Sequence, residues 1–353
     1  MVNVRKHAEG GRHHEEKILW AVAACGIALA ISGCGDSAPS SKQKTDTPPT
    51  YTEKYGDRTA YVYEYQGVDV SKAHSYSHIL KKGDNLYFIS ANVEKNDNTY
   101  PLYQVKIEKE TTKDLKKLCD NTIRTAPIFT DGKNVYFSQN TKDAQGKKLD
   151  GIAYLDGTTV KPGADPKTSN SKSRCFAKNG YIYEVDLERE KGKAWSSVVN
   201  LMKVENGKFT KEGNSVVGIG EADKYNKAAY IGADAQNVYI YGILLKDGKE
   251  VKEEGRTIAG LSVFDTKGKY VRSYTPGYRT GSTFAVTDHF VVFASFYSTR
   301  ENNKNYYEWT VYNKADGKEV GRFKLPFFTE AMTAEGDSIY AAGSNKKLFR
   351  MDL

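Results

Sequence analysis

The chain has 353 residues, a length that sets a prior of two or three domains. Hydrophobic residues make up 39% and 31 glycines join them, which is ordinary globular composition and excludes disorder over the whole chain. The formal net charge is +8, but the lysines are spread along the sequence, as on a solvated surface rather than a nucleic-acid footprint. With 25 tyrosines beside so many glycines, the composition leans toward strands and turns.

The first seventeen residues are polar and carry Arg5, Lys6, Arg12 and Lys17. Ile18 to Ile31 then runs uncharged. A helix of that length reaches about 21 Å, short of the roughly 30 Å hydrocarbon core, so residues 1–33 read as an export signal and not a spanning segment. Ile31-Ser32-Gly33-Cys34 follows directly and resembles the bacterial lipobox. That resemblance implies cleavage before Cys34 and a lipid on its thiol. More than one acyl chain is implied, and each buried methylene adds about 0.8 kcal/mol of membrane affinity. Residues 34–58 hold the lipidated Cys and a Ser-, Thr-, Pro- and Lys-rich stretch with almost nothing to bury, which reads as a flexible tether.

From residue 59 to 353 a phrase recurs, a turn followed by an aliphatic-aromatic strand. Its copies are anchored on Tyr87, Tyr136, Tyr183, Tyr239, Val291 and Tyr340, at steps of 49, 47, 56, 52 and 49. Eight residues before each anchor lies a mostly apolar column: Ile79, Ile128, Cys175, Ile231, Thr283 and Met332. Two residues earlier comes a column of mostly small residues, Ser77, Ala126, Ser173, Ala229, Gly281 and Glu330, as inner strands crowding an axis require. A period near 50 with strand content predicts a β-propeller. Hairpins complete the repeats, for example Val199–Glu205 with Lys208–Lys211 and Gly260–Asp265 with Tyr270–Tyr274, joined by glycine-containing turns. Asp265 and Asp316 sit in such turns, which lack the dense alternating oxygens of a calcium loop. The sixth repeat stops after three strands, and residues 60–66 precede the first repeat without a partner. Pairing the two closes the ring and removes exposed edges.

The repeated Asn-aliphatic-Tyr strand with Asp-x-x-Gly-Lys hairpins resembles the six-bladed TolB-type propellers of secreted bacterial proteins. A more distant likeness is to the outer-membrane assembly lipoprotein with a quinoprotein-like propeller. The resemblance covers about five-sixths of the chain and implies an all-β, six-bladed propeller behind a lipoprotein signal peptide. It transfers no catalytic residue, because such folds bind in many ways.

Cys119 falls on an outer strand and Cys175 on an inner strand two repeats later, a placement that disfavours a disulfide between them. His and Cys spacing suggests no metal site, and no cofactor is expected. The loops joining second to third and fourth to first strands are long and share one face, the usual place for binding. They carry Trp195, Tyr225, Tyr278, Tyr306, Tyr307 and Trp309, although the last two also fit packing between blades. Four residues before the apolar column lie Ser75, Arg124, Ser171, Lys227, Arg279 and Phe328. Its three cations, around the channel mouth, suit an anionic or polyhydroxylated ligand, or else ordinary solvated charge. Gly218-Ile219-Gly220 and Ser169-x-x-Lys172 match enzyme motifs only by fragments, and no Gly-x-Ser-x-Gly or His-Glu-x-x-His occurs. The reading is a lipid-anchored extracytoplasmic module, in the cell membrane or outer membrane, that binds an envelope protein, peptide or glycan and no nucleic acid. The alternative is a carbohydrate- or peptide-active enzyme with Glu330, Asp69 and Asp223 as carboxylates at the channel mouth.

Overall fold

The middle strands of the repeats do not alternate. Leu86, Tyr87, Phe88 and Ile89 are all buried, as are Tyr239, Ile240 and Tyr241, which happens only when both faces of a sheet are covered. In a computed structural model of the chain, described for residues 47–66, 75–91, 99–108, 111–123, 127–142, 148–163, 172–186, 198–218, 225–276 and 280–353, adjacent sheets supply those covers. Every regular element among the described residues is a strand.

The chain opens with a hairpin, β1 (Tyr51–Tyr55) and β2 (Arg58–Glu64). It continues through β3 (Ser75–Lys82), β4 (Asn85–Ala91), β5 (Thr99–Glu108) and β6 (Thr111–Ile123). Then come β7 (Phe129–Thr130), β8 (Val135–Lys142), β9 (Lys148–Asp156) and β10 (Thr159–Pro162). A four-stranded sheet follows, β11 (Lys172–Lys178), β12 (Tyr181–Asp186), β13 (Val199–Glu205) and β14 (Lys208–Lys211). The next sheet starts with β15 (Asn226–Ala233) and β16 (Asn237–Lys246), then makes an excursion through β17 (Lys249–Glu250) and the ribbon β18 (Lys252–Glu253) and β19 (Arg256–Thr257). It resumes with β20 (Ala259–Asp265) and β21 (Tyr270–Tyr274). The last elements are β22 (Thr280–Val286), β23 (Phe290–Glu301), β24 (Lys304–Asn313) and β25 (Glu319–Leu325), then β26 (Thr329–Glu335), β27 (Ser338–Gly343) and β28 (Leu348–Asp352).

First strands pack against first strands around an axis: β7 on β11, β11 on β15, β22 on β26, and β26 back on β3. The last repeat therefore touches the first, and the molecule is an all-β propeller. β2 pairs with β28, Val62 opposite Met351, so the N-terminal segment completes the last sheet as the unpartnered strand required.

Two features depart from the sequence reading. Hydrogen bonding does not divide the strands into six equal sheets. Four sheets stand apart with four or five strands each, whereas β3 to β10 form one eight-stranded sheet. β6, with 13 residues against 10 in β5, takes up the difference in three register shifts, and its Thr122 pairs with Gln139 of β8, fusing two repeats. The second departure is β1, which lies inside the stretch assigned to the tether and adds a fifth strand to the last sheet. Tyr55 is buried against Phe323, their ring centroids 5.8 Å apart. One aromatic residue with a pocket outweighs the polar composition around it.

The closing hairpin is clamped from both sides. Tyr55, Ala60 and Val62 join Met332, Ile339, Phe349 and Met351 of their own sheet, with Trp309 and Phe323 of the neighbouring sheet, in one apolar cluster. Gly56 has φ +58°, and a Cβ there would collide with the Val320 carbonyl oxygen.

The recurring phrase has a physical basis at the turns. The Asp131 carboxylate accepts from the backbone N–H of Lys133 (2.9 Å) and Asn134 (2.7 Å) and from the Tyr136 hydroxyl (2.8 Å). Asp234 repeats this with Gln236 N–H (2.8 Å), Asn237 N–H (2.8 Å) and the Tyr239 hydroxyl (2.6 Å). At these two repeats the anchor tyrosine is thus both core and staple, tying the first-to-second-strand turn to the sheet below.

Candidate functional site

Strand polarity places the long connections on one face of the ring and the stapled turns on the other. On the loop face β23 and β24 overrun the blade and form a projecting hairpin. Its tip is Asn302-Asn303, with φ +48° and +62°, the conformation that a two-residue hairpin turn demands and asparagine tolerates. The strands leave the blade through a bulge, the register shifting between Ala294 and Ser298. Within it the Ser295 hydroxyl donates to the Tyr297 carbonyl at 2.7 Å and accepts from the Tyr297 N–H at 3.0 Å. A bulge re-aims side chains. Here it turns Phe296 and Tyr297 outward, 45% and 49% exposed.

These rings do not stand alone. The Phe296 ring lies 5.4 Å from Tyr297 and 5.5 Å from Phe328, both edge-to-face, and Tyr307 lies 5.6 Å from Phe328. Phe328 belongs to the segment linking β25 to β26, and its position is imposed by its neighbours. Phe327 is buried in a parallel stack on Phe349 at 4.1 Å, so the next side chain must face out. The Phe328 N–H donates to the Ser344 hydroxyl at 3.2 Å, and the Ser344 N–H donates to the Phe328 carbonyl at 2.8 Å. Four rings from three chain segments make one platform held by bonded backbone, with Phe296 and Tyr297 exposed and Tyr307 and Phe328 half-buried.

Charges on the same blade are paired. Arg322 donates to Glu319 through Nε (2.7 Å) and Nη2 (3.0 Å) and to Glu308 through Nη1 (2.9 Å). Arg322 holds the Glu319 carboxyl below the usual carboxylate range, chiefly by these hydrogen bonds. Lys324 is paired with Glu301. The platform itself offers apolar and aromatic surface, the composition of interface anchors, beside the polar hairpin tip at 301–305.

The residues singled out from sequence fare unevenly. Tyr306 lies on β24 opposite Thr299 and is half-buried at the platform's edge. Tyr307 is in the platform itself, and Trp309 is fully buried core, as its packing alternative held. Tyr225 stacks on Tyr270 at 3.8 Å with nearly parallel rings, a packing role. Lys227 is placed on β15 opposite Ile243. Cys34, Arg124, Trp195, Tyr278 and Arg279 lie outside the described residues. Of the column proposed for the channel mouth, Phe328 is the member whose side chain is described, and it contributes an aromatic ring rather than charge. Phe296 and Tyr297 were missed, although aromatic residues running past the end of an otherwise buried strand, Phe296-Tyr297 after Phe293-Ala294, were visible.

Glu330 is half-buried on β26, and Asp69 and Asp223 lie outside the described residues. Among the described residues no group of three His, Cys, Asp or Glu is placed to hold a metal ion. Cys119 and Cys175 are unbonded, and burial raises the Cys175 thiol pKa far above its ordinary value. His289 is exposed and bonded through Nδ1 to Asp337 at 2.6 Å, a contact between neighbouring sheets. Asp265 accepts from Lys267 N–H and Lys269 N–H, both at 2.9 Å, and so closes its own hairpin turn.

No protein-family model and no curated protein matches the sequence. Solved structures similar to the chain include a glucose dehydrogenase, with TM-score 0.47 and 9% identity, covering 83% of this chain and 98% of that one. The propeller domain of the trilobed protease from Pyrococcus furiosus has TM-score 0.45 and 14% identity, covering 80% and 96%. Virginiamycin B lyase from Staphylococcus aureus has TM-score 0.45 and 9% identity, covering 83% and 99%.

Proposed function

We propose that the protein is a lipid-anchored, extracytoplasmic six-bladed propeller of TolB type that docks a protein partner of the cell envelope on its loop face. The count of six rests on the repeat steps: the eight-stranded sheet contains two repeats, and the four separate sheets contain one each. The anchor rests on Cys34 and the apolar run before it.

The observation that carries the docking role is the platform of Phe296, Tyr297, Tyr307 and Phe328. Its rings meet edge-to-face at 82° and 84°, giving a corrugated surface that suits side-chain knobs of a protein better than the flat face of a sugar ring. Exposed aromatic clusters on soluble folds mark interaction sites, and rigid aromatic anchors lose little entropy on binding.

A photo-crosslinking residue placed at 296 in the full chain, in its native membrane, tests this directly. The expected result is a discrete adduct that disappears when Tyr297 and Phe328 are changed to Ser. The same residue at the exposed Val271, on an outer strand, serves as the control. Identical adducts from both positions, or none from 296, would overturn the docking role. The anchor is tested separately: Cys34→Ser should move the protein from the membrane to the soluble fraction.

A further inference from the structure

The opposite face, with its short stapled turns, encloses a cavity of about 700 Å³ at the mouth of the ring. Ligand pockets occupy about 300–1,000 Å³, with an apolar lining and a few placed polar groups. This one is walled by turns and inner-strand ends from the first, second, third, fourth and sixth repeats. Its apolar side is Phe176, Tyr183, Leu201 and Val216, from the third repeat and the segment after it.

Five charged side chains line the cavity, and the acids among them are already engaged. Asp234 receives two backbone N–H groups and the Tyr239 hydroxyl, and Lys314 lies 3.1 Å away. Glu335 is paired at 2.8 Å with Lys81, whose side chain is only 7% exposed. Lys82 and Lys178 also line the cavity and form no ion pair among the described residues. The Lys178 ammonium lies 4.6 Å from the Tyr181 ring, which leaves its donors available. The mouth is therefore net cationic above an apolar wall.

We infer that this turn-side cavity binds a small organic anion, with a carboxylate or phosphate head between Lys82 and Lys178 and an apolar body against Phe176, Tyr183, Leu201 and Val216. An ammonium on a flexible stem meets such a head as a point charge, which suits either anion. The site is separate from the aromatic platform and does not rest on it.

Calorimetric titration of the full chain in lipid nanodiscs with phenyl phosphate, against inorganic phosphate and phenol, provides the test. Phenyl phosphate should bind at one per chain and at least tenfold more tightly than either fragment. Lys82→Gln with Lys178→Gln should weaken it at least about tenfold, the equivalent of about 1.4 kcal/mol. Ala235→Trp, on an exposed turn that lines the cavity, should block binding with every charge retained, whereas Phe296→Ser should leave it unchanged. Equal affinity for inorganic phosphate would mean exposed lysines only and would overturn the inference. So would binding that survives either the paired lysine change or Ala235→Trp.

Discussion

Two seams of the ring differ in how they are made. Where the chain ends meet, β2 pairs with β28 and β1 covers β2, and the cluster around Tyr55, Val62 and Trp309 ties the last sheet to its neighbour. Where the first repeat meets the second, the single pair Thr122 with Gln139 joins the sheets, and Leu80, Tyr87, Ile89 and Leu102 pack with Ile128, Val135 and Phe137 in one buried cluster. The first seam has no covalent continuity to rely on, so strand pairing and burial must hold it. The second has chain connectivity beside its buried cluster, so one strand pair between the sheets suffices.

That contrast is open to attack by substitution. The largest expected effect is Val62→Asp, which places an unpaired charge where no side-chain surface is exposed. It should cost more than about 4 kcal/mol and abolish a cooperative thermal transition. Trp309→Ala, in the same cluster, should cost about 3–5 kcal/mol, read as a lowered midpoint in urea. If both variants melt like the parent, the terminal seam is not what closes the ring.

Asp234 sharpens the picture through pH. Burial alone would raise its pKa, but Lys314, the Tyr239 hydroxyl and two backbone N–H groups outweigh burial and hold it below the ordinary carboxylate value. A carboxyl depressed in the folded state contributes stability above its unfolded pKa of about 3.9 and loses it as pH falls through the folded value. Asp234→Asn should therefore cost about 1–2 kcal/mol near neutrality, with the deficit shrinking in acid. A deficit constant from pH 7 to pH 2 would refute that. The smallest effect belongs to the other seam. The buried Thr122 hydroxyl has no hydrogen-bond partner among the described residues, so Thr122→Val should change the unfolding free energy by no more than about 0.5 kcal/mol, or stabilise the protein. A large loss would mean that this seam carries more than its backbone pairing indicates.

Much of the architecture was legible because repetition amplifies weak signals. One Asn-aliphatic-Tyr strand means little, but five tyrosines among six evenly stepped anchors mean a ring of blades, and two of those tyrosines also staple their turns through Asp131 and Asp234. Hairpins such as Val199–Glu205 with Lys208–Lys211 fall where their glycine turns placed them. The tether boundary was not legible, since Tyr55 gains its burial from Phe323, distant in sequence. Nor was the fusion of the first two repeats, which rests on the bulged β6 meeting β8 at Thr122.

The functional surfaces follow the same division. Local patterning by itself determined an all-β repeat chain behind an apolar N-terminal run ending at Cys34, because alternation, turn residues and spacing act between neighbours. Only the tertiary structure decided that Phe296, Tyr297, Tyr307 and Phe328 share one platform, and that Lys82 and Lys178 share one mouth. Those groupings come from strands brought side by side around an axis, and no local stretch of chain encodes which distant side chains that closure brings together.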